Sequence, residues 1–217
     1  MQKQRNSLNP YIDNLVKIIV EKNGNWGKTR ISISENIFNL ANVLHYVSME
    51  LVIELKRMLG DRIQYWVIAM ISGVFCNIAF EINRRLGSLY KTAHTNMGGV
   101  HYNEMFIDRA DRNLLCGSVK ILAANITLEA NDVKDFAGLI NYSLTTTVLR
   151  VLTTSEALKN GRSASQQILS SIERIFKGLE IAFNKEIATP YEDTKITENG
   201  DLKEFEKLIA QAQTTTN

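Results

Sequence analysis

The sequence predicts an all-α protein, a helical bundle of about five to seven helices with a long amphipathic helix towards the C-terminus. The first observation is that proline, which breaks helices, occurs only twice in 217 residues, at Pro10 and Pro190. The second is that apolar residues recur at three- and four-residue spacing between these prolines. The third is a series of capping signals that divides this long region into separate helices.

Three helices are expected in the first part of the chain. Asparagine followed by Pro10 is a favourable helix start, which predicts a first helix over about residues 10–22. A Ser-Ile-Ser-Glu capping box at 32–35 predicts a second helix that ends near residue 59. The third stretch, about 63–91, is apolar on nearly every side in its first half. We therefore expect this third helix to be the most buried element.

Three more helices are expected after a Gly-rich loop at 95–99. The fourth runs over about 103–126, with an interruption at Gly117. Asn131 and Asp132 cap a fifth helix that continues through about residue 151. A second capping box begins the last long helix, over about 163–185. Its apolar stripe consists of Ile168, Ile172, Ile175, Phe176, Leu179 and Phe183.

The domain organisation follows from where the helical pattern ends. Residues 1–189 are predicted to form a single helical-bundle domain. Residues 190–217 are polar and form a predicted C-terminal tail, with a short amphipathic helix and an end that frays.

The charge distribution excludes several classes of protein. The formal net charge is only +2, which excludes a strongly basic nucleic-acid coat and an acidic solvating tail. Residues 1–120 carry a net charge of +5, and residues 121–217 carry −3. Any contact with nucleic acid must therefore be local, and the basic surplus favours the N-terminal half.

Cysteine use and the N-terminus predict the compartment. Cys76 and Cys116 lie among apolar residues and form no C-x-x-C motif, which suits a reducing compartment. No signal peptide is predicted, because the N-terminal segment MQKQRNSLNPY has no apolar region. No membrane span is predicted, because the longest apolar stretch is broken by Ser72, Gly73 and Asn77. We expect a cytoplasmic protein with no membrane partner.

Two short motifs resemble ligand sites but fail on spacing. Residues 24–29 end like a phosphate-binding loop, but the position that requires the first glycine is Lys22. His94 and His101 flank the 95–99 loop, but their spacing matches no common zinc pattern. We expect neither nucleotide hydrolysis nor a metal site.

No catalytic constellation stands out in the sequence. Asp108 and Asp111 lie three apart on one helix, but they alternate with arginines, which favours salt bridges within that helix. No Ser/His/Asp or Cys/His set has a local signature. The protein is predicted not to be an enzyme and to need no cofactor.

The order of four motifs carries a family resemblance. They are PYIDNLVKIIVEK, TRISISENIFNLANVL, DVKDFAGLINY and SSIERIFKGLEIAFNK. In this order they resemble the helical small subunit of type III-A CRISPR–Cas effector complexes, the small subunit of the Csm complex, over roughly half of the chain. The chain is longer than this family, and the resemblance implies an insertion within about residues 50–115. The segment before Val133 matches either 63–66 or 118–121, and we prefer the second, which places Lys120 where the family has a basic residue.

The resemblance implies a function and a set of contact residues. It implies a non-catalytic bundle that stacks in a few copies, beside other effector subunits, along a channel that holds guide RNA and target RNA. Basic side chains on rigid helices would then contact the RNA backbone without reading its sequence. The residues expected to make these contacts are Lys28, Arg30, Arg109, Arg112, Lys120, Arg174 and Lys177.

Two alternatives of other classes remain open at this stage. The segments KTRIS and FCNIAFEINRRLGS resemble parts of a histone fold, which favours a DNA-compacting protein, although the balanced charge and the 95–99 loop without basic residues argue against it. A helical structural or packaging scaffold that binds no nucleic acid is the other alternative. The scaffold alternative predicts that replacing the basic residues with neutral ones leaves the function of the protein unchanged.

Overall fold

Six helices make up the part of the chain that the structure describes. A computed structural model describes residues 2–23, 33–59, 65–82, 107–155 and 162–184. The helices are α1 (Gln2–Asn23), α2 (Ile33–Leu59), α3 (Tyr65–Ile82), α4 (Arg109–Glu129), α5 (Val133–Thr154) and α6 (Arg162–Phe183). These residues contain no strand, and the predicted all-α helical bundle is confirmed.

The helices close into a ring rather than following one another in chain order. Each helix makes its main contacts with the next one in the order α1, α5, α3, α6, α2, α4, and α4 contacts α1 to close the ring. Each helix therefore buries its apolar side against two main neighbours, and one hydrophobic core runs through the middle of the ring. Its aromatic part is Phe75 of α3, which packs against Phe176 at 6.5 Å and edge-on against Phe183 at 6.0 Å between ring centroids.

Helices α2, α5 and α6 agree with the sequence in their bounds, and α5 also agrees in its cap. Helix α2 begins at Ile33 and ends at Leu59 as predicted. Asp132 caps α5, where its side chain accepts from the backbone N–H of Asp135 at 2.8 Å. Helix α5 runs to Thr154, three residues past the predicted end. All six residues of the predicted stripe on α6 are buried.

The predicted start of α1 is wrong. The helix begins at Gln2, and Pro10 lies inside it. Tertiary contacts hold the two turns that precede the proline: Leu8 is completely buried, and Gln4 Nε2 donates to the carbonyl of Glu129 at 2.8 Å and to Asp135 Oδ2 at 2.7 Å. These contacts offset the amide hydrogen bond that Pro10 cannot make.

The bonds to Asp135 also affect its ionisation. The hydrogen bond from Gln4, followed by one from Asn131, lowers the pKa of the Asp135 carboxyl below its usual value. The stability that these bonds contribute is present above the ordinary carboxyl range and is lost as the pH falls through the lowered pKa. Neutral pH therefore favours the docking of the N-terminal turns of α1 against the start of α5.

The prediction that the third helix is the most buried element is also wrong. On α3 the side chains of Phe75 and Ile78 are completely buried, but Phe80 is 64% exposed and Cys76 is exposed. Among the described helices its main contacts are with α5 and α6, and the exposed Phe80 shows that its apolar sequence continues onto a surface. Residues 83–91 of the predicted helix lie outside the described residues.

Two expectations for the fourth helix are corrected. It is continuous through Gly117, whose surroundings are open space, so no interruption occurs there. It begins at Arg109, where the Asp108 side chain caps it by accepting from the backbone N–H of Ala110 at 2.7 Å. The predicted residues 103–106 and the tail 190–217 lie outside the described residues.

Candidate nucleic-acid interface

Two cationic side chains flank a buried carboxylate where α2 packs against α4. Glu54 is only 6% exposed, and its Oε2 accepts from Nε and Nη2 of Arg57 at 2.9 and 2.8 Å. Lys120 reaches across from α4 and places its Nζ 3.6 Å from Glu54 Oε1. We call Arg57 and Lys120 the α2–α4 basic cluster.

The buried carboxylate determines how this cluster presents its charge. A carboxylate removed from water must be paired, so Glu54 holds Arg57 and Lys120 in place at the surface. Arg57 makes two hydrogen bonds to one oxygen, whereas Lys120 makes the longer contact and is 51% exposed. Glu50, one turn before Glu54 on α2, offsets part of the positive charge, and Lys120 is the member best able to meet a phosphate.

Arg109 and Arg112 lie together in the first turn of α4. Arg109 is exposed and Arg112 is half-buried. The prediction that the two neighbouring aspartates form salt bridges within this helix is wrong, because Asp108 caps the helix and Asp111 Oδ1 lies 2.7 Å from Nζ of Lys22 in α1. The hydrogen bond and the charge of Asp111 raise the pKa of Lys22 above its usual value.

Arg174 and Lys177 occupy another part of the ring. They lie on α6, which packs mainly against α2 and α3, whereas α4 packs mainly against α1 and α2. Lys177 Nζ pairs with Glu173 Oε1 at 3.0 Å on its own helix and lines a groove against α3. Arg174 is half-buried. These two residues are not joined to Arg109 and Arg112 in one patch.

The remaining predicted residues cannot be placed, and one other residue was missed. Lys28 and Arg30 lie outside the described residues, as do residues 24–29, His94 and His101. Sequence reasoning did not select Arg57 as a contact residue. Its signal was only a basic residue in the last turn of α2, and nothing local indicates that Lys120 lies opposite.

A thiol beside a carboxylate lies one turn before the basic cluster. The Cys116 thiol donates to Glu50 Oε2 at 3.7 Å between α4 and α2. Burial, followed by the charge of Glu50, raises the pKa of this thiol. The thiol is therefore protonated at neutral pH, which suits a packing contact and does not suit a nucleophile.

An exposed apolar stripe follows α4 on the side away from the core. Leu114, Ile121 and Leu128 are 48%, 52% and 81% exposed and recur every seven residues. Gly117, between the first two, is exposed, and Ala124 is half-buried. This spacing is typical of a surface that packs against another helix. We call these five residues the α4 stripe.

A second apolar surface is the groove between α3 and α6. It has a volume of about 460 Å³, and its lining includes Phe80 and Ile181, which are 64% and 68% exposed. Monomeric proteins expose large apolar side chains mostly as single residues, and groups of them mark interaction surfaces. The described part of the chain therefore carries two such surfaces on different helices.

Comparisons with known proteins give no relative. No protein-family model, no curated protein and no solved structure matches the chain. None of the described helices is long and apolar enough to cross a membrane.

Proposed function

We propose that this protein is a non-catalytic RNA-binding subunit of a type III CRISPR–Cas effector complex in the cytoplasm. In this role it stacks with copies of itself and with other effector subunits, and it contacts the backbone of guide RNA and target RNA. The observation that carries the proposal is the α2–α4 basic cluster, in which Lys120, expected from the sequence to contact RNA, lies with Arg57 at the same carboxylate. The motif resemblance described above supplies the type of complex.

The chemistry of the cluster suits a phosphate backbone. The phosphates of RNA attract fixed cations whatever the base sequence, and each contact releases bound counterions. Cations on two packed helices keep their spacing, so binding needs little ordering of the protein. Arg109 and Arg112 extend the basic surface along α4 towards its N-terminus.

Assembly with other subunits is supported by the exposed apolar surfaces. A subunit that stacks must keep apolar side chains for its neighbours, whereas a self-sufficient monomer has no such need. The α4 stripe and the α3–α6 groove both meet this requirement. They lie on different helices, so one copy has surfaces for two neighbours.

The test of RNA binding is the salt dependence of affinity for a single-stranded RNA. The variant Lys120→Ala removes an exposed cation and leaves Arg57 to neutralise Glu54. We expect the slope of log K against log salt concentration to become shallower by about 0.7, the contribution of one contact with a single strand. Fluorescence anisotropy across a salt series measures it.

The matched control changes the net charge equally on another helix. Lys3 is exposed on α1, and the variant Lys3→Ala should keep the wild-type slope. Equal slopes for both variants and the wild type would contradict the proposal and favour a scaffold without nucleic acid. Protection of duplex DNA from nuclease, without RNA binding, would instead favour the histone-fold alternative.

A further inference from the structure

A polar cavity lies where the C-terminal end of α1 meets α2 and the start of α4. It has a volume of about 190 Å³. Three of the residues that line it are apolar and buried: Val43, Ile107 and Leu115. An engineered cavity of about 150 Å³ holds benzene, so this cavity has room for one flat ring system but not for a whole nucleotide.

One buried side chain in this cavity has no hydrogen-bond partner. Asn42 of α2 lines the cavity and is only 3% exposed. Among the described residues, neither its Nδ2 nor its Oδ1 is hydrogen-bonded. A buried amide that is left unsatisfied is costly, and native proteins keep few such groups without a reason. Asn42 therefore points to a ligand that satisfies both atoms.

The amide also limits the kind of ligand. Asn42 offers one donor beside one acceptor, and the complementary edge has an acceptor beside a donor. Adenine presents this edge through N7 and the N6 amino group, the pairing by which asparagine reads adenine in nucleic acids. The apolar walls suit the faces of the ring, as expected for an unstacked base held by a protein.

The charged residues at the cavity suit a base that belongs to a nucleic acid. Lys22, Asp108 and Asp111 line the cavity. Lys22 and Asp111 are bound to each other at 2.7 Å, so their charges are largely balanced, and the Asp108 carboxylate caps α4. Arg109 follows Asp108 and Arg112 follows Asp111 in the sequence of α4, so the turn that lines the cavity carries as many cations as carboxylates for a phosphate outside it.

We propose that this cavity binds an adenine base, which Asn42 recognises at its N6–N7 edge. That the base belongs to an unpaired nucleotide of bound RNA rests on the proposed function, whereas the adenine site itself does not. A nucleoside probe carries no phosphate and makes no backbone contact, so it tests the adenine site independently of RNA binding.

The experiment is a calorimetric titration of the full chain with adenosine and with inosine. Inosine keeps N7 but has a carbonyl oxygen in place of the amino group, so its N7 edge offers no donor to Asn42 Oδ1. We expect adenosine to bind more tightly than inosine by about 5- to 150-fold, the discrimination that a two-bond contact provides. Equal affinity for both nucleosides, or no binding of either, would overturn the proposal.

A variant tests the role of the amide itself. Asn42→Leu keeps the approximate size of the side chain and removes both polar atoms, so adenosine binding should weaken by the same factor while the melting temperature holds or rises. Asn113→Leu makes the same change at an exposed position of α4 and should bind adenosine normally. If Asn42→Leu retained wild-type binding, the site would not depend on Asn42. RNA binding that persists without adenosine binding would overturn this inference alone, and the reverse result would overturn the proposed function alone.

Discussion

Replacing Phe75 with alanine is expected to lower the free energy of unfolding by about 3–5 kcal/mol, as for other buried phenylalanines. Phe75 is completely buried on α3, and its ring contacts those of Phe176 and Phe183 on α6. The change leaves a cavity between these helices and removes both ring contacts. Urea unfolding followed by circular dichroism measures the effect.

The control for this prediction lies on the same helix. Phe80 is 64% exposed, so Phe80→Ala should change the free energy of unfolding by no more than about 0.5 kcal/mol. The two variants should differ in stability because Phe75 lies on the side of α3 that faces the core, whereas Phe80 lies on the exposed side. If both variants lost the same stability, α3 would be buried all round, as the sequence alone had predicted, and the exposed groove would not exist.

Replacing Pro10 with alanine is expected to raise the free energy of unfolding by about 1–3 kcal/mol, because proline costs about 3 kcal/mol inside a helix. Pro10 is exposed and lies inside α1, so alanine restores the missing backbone donor and buries nothing new. Thermal and urea unfolding of the purified variant measure the gain.

The opposite sign would contradict the observed start of α1. At the first position of a helix the missing proline amide costs nothing, and the rigid ring stabilises the fold by restricting the unfolded chain. If the helix began at residue 10, Pro10→Ala would be neutral or destabilising. Lys17→Ala, at an exposed position of the same helix, is the control and should stay within about 0.5 kcal/mol of the wild type.

The elements that could be predicted are those whose sequence signals are local. The α6 stripe appears in the sequence as a regular apolar spacing, and every one of its residues is buried. The cap of α5 was equally predictable, because Asp132 accepts from a backbone N–H only three residues away. In such cases one periodic pattern or one capping residue decides the local structure.

The features that could not be predicted depend on contacts between distant residues. Helix α1 continues in front of Pro10 because Gln4 binds Glu129 and Asp135, more than a hundred residues away. Helix α3 is apolar on most sides, and only the ring order of the helices decides which side is left exposed. Tertiary contacts outweigh local propensity at both places.

The candidate site shows the same division. The sequence indicated that Lys120 is basic and lies on a helix, but its neighbours Glu54 and Arg57 come from another helix. Asn42 is one of many asparagines in the sequence, and only its burial without a hydrogen-bond partner distinguishes it. Composition shows which charges are available, and packing decides which of them share a surface.

The most direct test of the central proposal is to express the chain with the products of its neighbouring genes, purify it by a tag and identify what accompanies it. We expect a large assembly that contains a short RNA of uniform length. Ile121→Lys, in the α4 stripe, and Ile181→Lys, in the α3–α6 groove, test the two apolar surfaces separately, and at least one of them should be lost from the assembly. Recovery of the protein alone, or with duplex DNA, would contradict the proposal that it is a subunit of an RNA-containing effector complex.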